Sequence, residues 1–122
     1  VPKKSLRKRR IHPATRVFMA LRIAVNQELE RLKQFMDIVA DLLNTGGRLC
    51  VLSYHSLEDR IVKQRIKQLE KGCQCPSNFP KCVCDQKSIV RNLTRKVVTP
   101  TPEEIRVNPM ARSARLRAAE KI

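Results

Sequence analysis

Aromatic residues and glycines are both scarce in this 122-residue chain. Aromatics make up 3% of it and Trp is absent, so a core has to be built from Leu, Ile, Val, Ala and Met. The only glycines are Gly46, Gly47 and Gly72, and no Gly-x-Gly-x-x-Gly pattern occurs. The chain therefore lacks the kind of glycine-rich loop that cradles the polar groups of a nucleotide-like cofactor.

Long apolar runs are missing as well. None approaches the ~18–20 residues that a membrane-spanning helix needs. The first residues, Val1-Pro2-Lys3-Lys4, lead into further charge and not into the apolar segment of a signal peptide. We therefore expect a cytoplasmic protein with no membrane partner.

Charge is strongly one-sided. The chain has 26 basic and 11 acidic residues, a net charge of +15, which favours a polyanionic partner such as RNA. Residues 1–12 form a basic arm, which is either a solvated tail or a segment that contacts phosphates. The arm contains Lys3, Lys4, Arg7, Lys8, Arg9 and Arg10.

The middle of the chain has the pattern of helix, strand and helix. An apolar stripe with spacings of three and four predicts a core-packed helix over 13–44, begun by His12 or Thr15. Its 32 residues would span ~48 Å, so we expect a bend or a break. Residues 48–54 predict a buried strand in which Cys50 is a small core residue. Ser56 is the predicted N-cap of the following helix, with Asp59 as its capping-box partner.

The last third predicts two strands, at about 92–98 and 113–120, which pair as an antiparallel hairpin. Between them, Thr101-Pro102-Glu103-Glu104 has the cap and first turn of a short helix. The final strand alternates apolar residues with a basic face that includes Arg115 and Arg117; a helix is the alternative there, since Ala and Arg favour helices. Helices and strands joined by tight turns indicate an α/β fold, with an unpaired strand edge that makes a homodimer a candidate.

Four cysteines lie close together between residues 72 and 85. Cys73, Cys75, Cys82 and Cys84 form two C-x-C pairs, and four thiolates at such spacing could hold zinc in a tetrahedral site. The usual spacing is C-x2-C, so free thiols are the alternative. Stable disulfides are disfavoured in the cytoplasm.

Candidate site residues lie where the 48–54 strand meets the next helix. Ligands of open α/β sheets bind outside the carboxyl ends of strands. Tyr54 could stack on a base, while His55 and Ser56 could bind a base or a phosphate. The alternative is that Ser56 only caps the helix and His55 only packs. Arg16 and Arg112 are candidate contacts to the substrate's phosphates.

Three stretches, read in order, resemble the C-terminal portion of the RsmH (MraW) family. They are Ile11–Asn26 with its His-Pro-Ala-Thr-Arg motif, Gly46–Lys63 with Ser-Tyr-His-Ser-Leu-Glu-Asp-Arg-Ile-Val-Lys, and Glu103–Arg117. The resemblance implies S-adenosylmethionine-dependent methylation of N4 of a cytosine in 16S rRNA, in the decoding region of the small ribosomal subunit. It also implies a Rossmann-like sheet interrupted by a helical insertion. Residues 1–12 would be the end of that insertion. Residues 13–122 would be the C-terminal half of the methyltransferase domain, with residues 48–54 in the middle of its sheet.

The motifs that hold the methyl donor in that family belong to its N-terminal half. No cofactor-binding residue and no certain catalytic residue is therefore predicted in these 122 residues, and we expect the chain alone to be inactive. The alternative is a non-catalytic basic RNA-binding module, with or without a zinc site that staples it.

Overall fold

The computed structural model describes residues 12–73, 75–78, 80–81 and 86–122. The basic arm, apart from His12, lies outside this part of the chain. The elements in chain order are helix α1 Pro13–Asn26, α2 Glu28–Leu42, strand β1 Arg48–Ser53, α3 Ser56–Lys71, β2 Val90–Asn92, α4 Pro102–Val107, a 3-10 helix Pro109–Ser113, and β3 Arg115–Lys121. The predicted α/β class is confirmed.

The three described strands form one sheet in the order β1-β3-β2. β3 is antiparallel to both neighbours, so β1 and β2 run in the same direction. The predicted antiparallel pairing of the two late strands is confirmed, but β3 lies in the middle of these strands and β1 at their edge. This order is possible because the connection between β2 and β3 contains α4, and is long enough for β3 to pass between the other two. The predicted 92–98 strand is reduced to β2 and one isolated bridge, from Val98 to Leu116.

The predicted 13–44 helix is broken at Gln27, which has left-handed backbone angles (φ 51°, ψ 38°). The expected break is thereby confirmed. His12 is the N-cap, and its Nδ1 accepts the Ala14 N–H at 3.1 Å. The two halves differ in burial, since α2 buries Met36, Val39 and Ala40 whereas no residue of α1 is buried.

The core lies between the sheet and the pair α2 and α3. Met36, Val62 and Ile66 are its largest fully enclosed side chains, and Val90 and Ala119 close it from the sheet. The apolar stripe predicted to pack in the core does so in α2 at Leu32, Met36 and Val39, but Phe35 and Leu42 of the same stripe are exposed. Along α1 that prediction is wrong for the part of the chain described, because Val17, Phe18, Leu21 and Val25 are exposed.

The face of β1 that points away from α2 and α3 is also exposed. Cys50 and Leu52 point away from the helices, so the prediction of Cys50 as a core residue is wrong for the described structure. Leu49 and Val51, which alternate with them, pack against the core. None of the helices described is both long and apolar enough to cross a bilayer.

Candidate functional site

The carboxyl end of β1 runs directly into the first turn of α3. Ser53 ends the strand and is buried. The next residue, Tyr54, has 52% of its surface exposed, whereas the side chain of His55 is only 10% exposed. The junction thus presents an aromatic ring to solvent beside an enclosed imidazole, at the end of the sheet where ligands of α/β proteins bind.

His55, and not Ser56, is the N-cap of α3. The His55 Nδ1 accepts the backbone N–H of Glu58 at 3.4 Å, and the Glu58 carboxylate accepts the Tyr54 N–H at 3.2 Å. The cap therefore lies one residue earlier than the predicted Ser56–Asp59 pair, because an imidazole reaches the third helical amide as a Ser hydroxyl would. The return bond of Glu58 goes to Tyr54 and not, as in a capping box, to the N–H of the cap residue itself. Ser56 is the first residue of the helix and is exposed.

Asp59 is thereby free to enter the interior, where it binds Arg117 of β3. The Arg117 guanidinium donates to both Asp59 oxygens, at 2.6 and 3.1 Å, and Arg115 lies at 3.4 Å. The hydrogen bond from Arg117 holds the pKa of Asp59 below its ordinary value, against the opposing effect of burial. The basic face predicted for the last strand is accordingly interrupted at Arg117, which is buried.

Glu28, the first residue of α2, completes a cluster that the sequence pattern does not indicate. One ligand atom from each of Glu28, His55 and Glu58 lies within 4.8 Å of the other two. The Glu28 carboxylate is held by Arg22 at 2.9 Å and Asn26 at 3.2 Å. The hydrogen bond from Asn26, more than those from Arg22, lowers the pKa of Glu28. Helix periodicity could not reveal this contact, because it depends on the break at Gln27.

The His55 Nε2 is the most unusual atom of the cluster. It is enclosed, and it makes no hydrogen bond to any residue that the structure describes. The Glu58 Oε1 lies 3.4 Å from it. A buried polar atom left in this way is uncommon in folded proteins and calls for a physical explanation.

The two predicted phosphate contacts are both on the surface. Arg16 lies on α1 and Arg112 in the 3-10 helix, and both are exposed. Two arginines of the sheet are engaged in ion pairs instead: Arg91 and Arg48 both contact Glu120, joining β2 and β1 to β3. The roles proposed for Arg16 and Arg112 stay predictions.

The predicted zinc site lies only partly inside the described residues. The Cys75 N–H donates to the Cys73 sulfur at 3.4 Å, whereas Cys82 and Cys84 lie outside them. If all four thiolates bind one ion, we expect one zinc per chain in elemental analysis of protein purified under reducing conditions. A Cys50→Ser control should keep the metal, and a Cys73→Ser/Cys75→Ser variant should lose it. Zinc-free wild-type protein would favour free thiols.

Comparisons with known proteins assign the whole chain to one protein family. The model of the MraW methylase family matches residues 1–122. Proteins named ribosomal RNA small subunit methyltransferase H are similar to it: 57% identity over 122 residues in Desulforapulum autotrophicum, 59% over 121 residues in Desulfosudis oleivorans, and 57% over 113 residues in Dehalococcoides mccartyi strain BAV1. These alignments cover 100%, 99% and 93% of the chain, but 39%, 39% and 32% of the relatives. The chain thus spans about two fifths of the first two relatives, in their C-terminal part. The resemblance seen in the sequence is confirmed, and the chain belongs to the MraW methylase family.

Proposed function

We propose that this segment is the substrate-side part of an enzyme that methylates N4 of a cytosine in the decoding region of 16S rRNA. The observation that carries the proposal is the match of the family model to the whole chain, together with relatives named as small-subunit rRNA methyltransferases. We place the enzyme in the cytoplasm, on the small ribosomal subunit.

The family implies S-adenosylmethionine, which supplies an electrophilic methyl group. These 122 residues contain no glycine-rich loop, so the donor would be held by other parts of the enzyme. The donor's sulfonium would supply the methyl group to the N4 lone pair and keep the electrons of the broken S–C bond, and N4 would lose a proton to solvent. The β1–α3 junction would hold the acceptor base for this step: Tyr54 as a stacking surface and His55 as a hydrogen-bonding group.

Methyl transfer by a completed enzyme tests this proposal. The segment would be joined to the N-terminal remainder of the Desulforapulum relative, with 57% identity between the two C-terminal parts. We expect radioactive methyl groups from S-adenosylmethionine to enter 16S rRNA and to be recovered as N4-methylcytidine after digestion to nucleosides. Methylation of another nucleoside, or none while the native relative is active on the same RNA, would contradict the proposal.

Exposed arginines should supply part of the RNA affinity through counterion release. Replacing Arg16 or Arg112 by Ala should lower the slope of log K against log salt concentration by about one unit each. Arg106→Ala is the matched control, because that exposed side chain is already paired with Glu103 and should leave the slope unchanged. Filter binding of 16S rRNA at several salt concentrations measures all three. Equal slopes in all variants would show that Arg16 and Arg112 do not contact the RNA.

A non-catalytic RNA-binding module is the second candidate, favoured by the net charge of +15. It differs from the first in one outcome: the completed enzyme would bind 16S rRNA but transfer no methyl group to it.

The outer edge of β1 is unpaired among the described strands, and the homodimer expected from the sequence stays a prediction for the isolated chain.

A further inference from the structure

The cap bond at Nδ1 favours one tautomer of the neutral His55 ring. Nδ1 accepts the Glu58 N–H and so uses its lone pair. In the neutral ring the proton therefore lies on Nε2, which makes this atom a hydrogen-bond donor. A metal ligand would need a lone pair at Nε2 instead. The cap thus favours the donor tautomer, although three potential ligand groups are close together.

Glu58 places an acceptor directly beside this donor. Its Oε2 is occupied by the Tyr54 N–H, which orients the carboxylate and leaves Oε1 facing Nε2 at 3.4 Å. The two atoms form an adjacent donor and acceptor on one rigid helix end. The cap bond fixes the imidazole and the Tyr54 N–H fixes the carboxylate, so neither depends on the ligand for its orientation.

We propose that His55 Nε2–H and Glu58 Oε1 read the Watson–Crick edge of the target cytosine and reject uracil. Cytosine presents an acceptor at N3 next to the N4 amino donor, and carboxylates are the side chains that accept from that amino group. Uracil presents the reverse pattern, N3–H beside O4, so donor would face donor and acceptor would face acceptor. The inference rests on the proposed function, and it assigns base specificity to two residues of this chain.

Glu28 lies beside the pair in the described structure. Its carboxylate lies within 4.8 Å of both groups, so the base takes the place of this side chain, which has to swing aside. The Arg22 that holds Glu28 is itself largely exposed, and the carboxylate follows the helix break at Gln27. Seating the base therefore requires Glu28 to break its contacts with Arg22 and Asn26, or the three side chains to move together.

Discrimination between cytosine and uracil tests the inference. Once the methylated position is mapped, two 16S rRNA fragments with C or U at that position would be bound to the completed enzyme. We expect wild type to prefer C by roughly ten- to hundredfold. Glu58→Gln and His55→Asn should reduce this ratio to near one. The Asn variant keeps an N-cap oxygen for α3, so it separates base reading from folding, and circular dichroism of each variant checks the fold.

The matched control is Glu30→Gln, the same chemical change at an exposed position of α2, which should keep the wild-type ratio. If Glu58→Gln and His55→Asn both retain the wild-type preference for C, the inference is wrong even though methylation of 16S rRNA stands. If the wild-type enzyme forms no N4-methylcytidine, the proposed function itself fails and the inference falls with it.

Discussion

Replacing Asp59 with Asn is expected to lower the free energy of unfolding by about 3–5 kcal/mol, the usual cost of removing one partner from a buried ion pair. The reason is the Arg117 guanidinium, which is buried and makes its two close charged contacts with Asp59. Without the carboxylate, that cation stays in the interior uncompensated. Urea unfolding of the 122-residue chain at one fixed protein concentration measures the change.

A double variant separates the buried charge from the loss of packing. Asp59→Leu with Arg117→Met removes both charges and should be more stable than Asp59→Leu alone, because replacing a whole buried pair by apolar groups costs little. Glu103→Gln is the surface control, since its ion pair with Arg106 is exposed and should change stability by less than about 1 kcal/mol. Equal effects of Asp59→Asn and Glu103→Gln would rule out a structural role for the buried pair.

The same pair predicts a direction of pH dependence. The pKa of Asp59 is lower in the folded chain than its ordinary value, chiefly because of the Arg117 hydrogen bond. Its contribution to stability is therefore present above the unfolded pKa of about 3.9 and is lost as the pH falls through the folded pKa. Asp59→Asn should flatten the acid limb of the stability profile.

Gly72→Ala is expected to destabilise the chain by about 3 kcal/mol or more. Gly72 ends α3 with a φ of 67°, and an added Cβ would lie 2.3 Å from the backbone carbonyl carbon of Lys87. The substitution combines a strained backbone angle with a clash that only a backbone shift can relieve. The close approach joins the two ends of the cysteine-rich segment. The unfolding midpoint in urea should fall accordingly.

Gly46→Ala provides the matched control for this steric argument. Gly46 also has a positive φ, 83°, but nothing lies within 4 Å of an added Cβ. It should therefore lose only the backbone term, about 1–2 kcal/mol. If the two substitutions cost the same, the contact between Gly72 and Lys87 contributes nothing beyond backbone strain.

Local patterns in the sequence predict the elements better than their arrangement. The Thr101 cap is found as predicted, with its hydroxyl accepting the Glu104 N–H. The start of the helix at His12 is one of the two predicted caps, whereas the break was expected from the length of the helix and its position at Gln27 was not predicted. The position of β3 between β1 and β2 could not be predicted from the sequence, because antiparallel pairing alone leaves the order of the strands open.

The candidate site was likewise predictable in its location but not in its contacts. The resemblance of the segment around His55 directs attention to the β1–α3 junction, but capping preferences favour Ser56 over His55, so the cap was predicted one residue late. The contacts that define the junction join residues far apart in sequence: Asp59 with Arg117, and Glu28 with His55. A charged residue among apolar neighbours in the last strand was the available signal for a buried Arg117.

The central claim is that the β1–α3 junction faces the RNA, and photocrosslinking tests it most directly. A photoreactive phenylalanine analogue would replace Tyr54 in the completed enzyme, or Ile122 as control. Both residues are 52% exposed. The pairing of Arg48 with Glu120 places Ile122 beyond the end of β1 opposite to Tyr54, so the two positions are separated by more than the ~16 Å length of β1 at ~3.3 Å per residue. We predict crosslinks from position 54 to 16S rRNA at or next to the methylated cytosine, and few from position 122. Equal crosslinking from both positions, or crosslinks from position 54 only at distant nucleotides, would contradict the account.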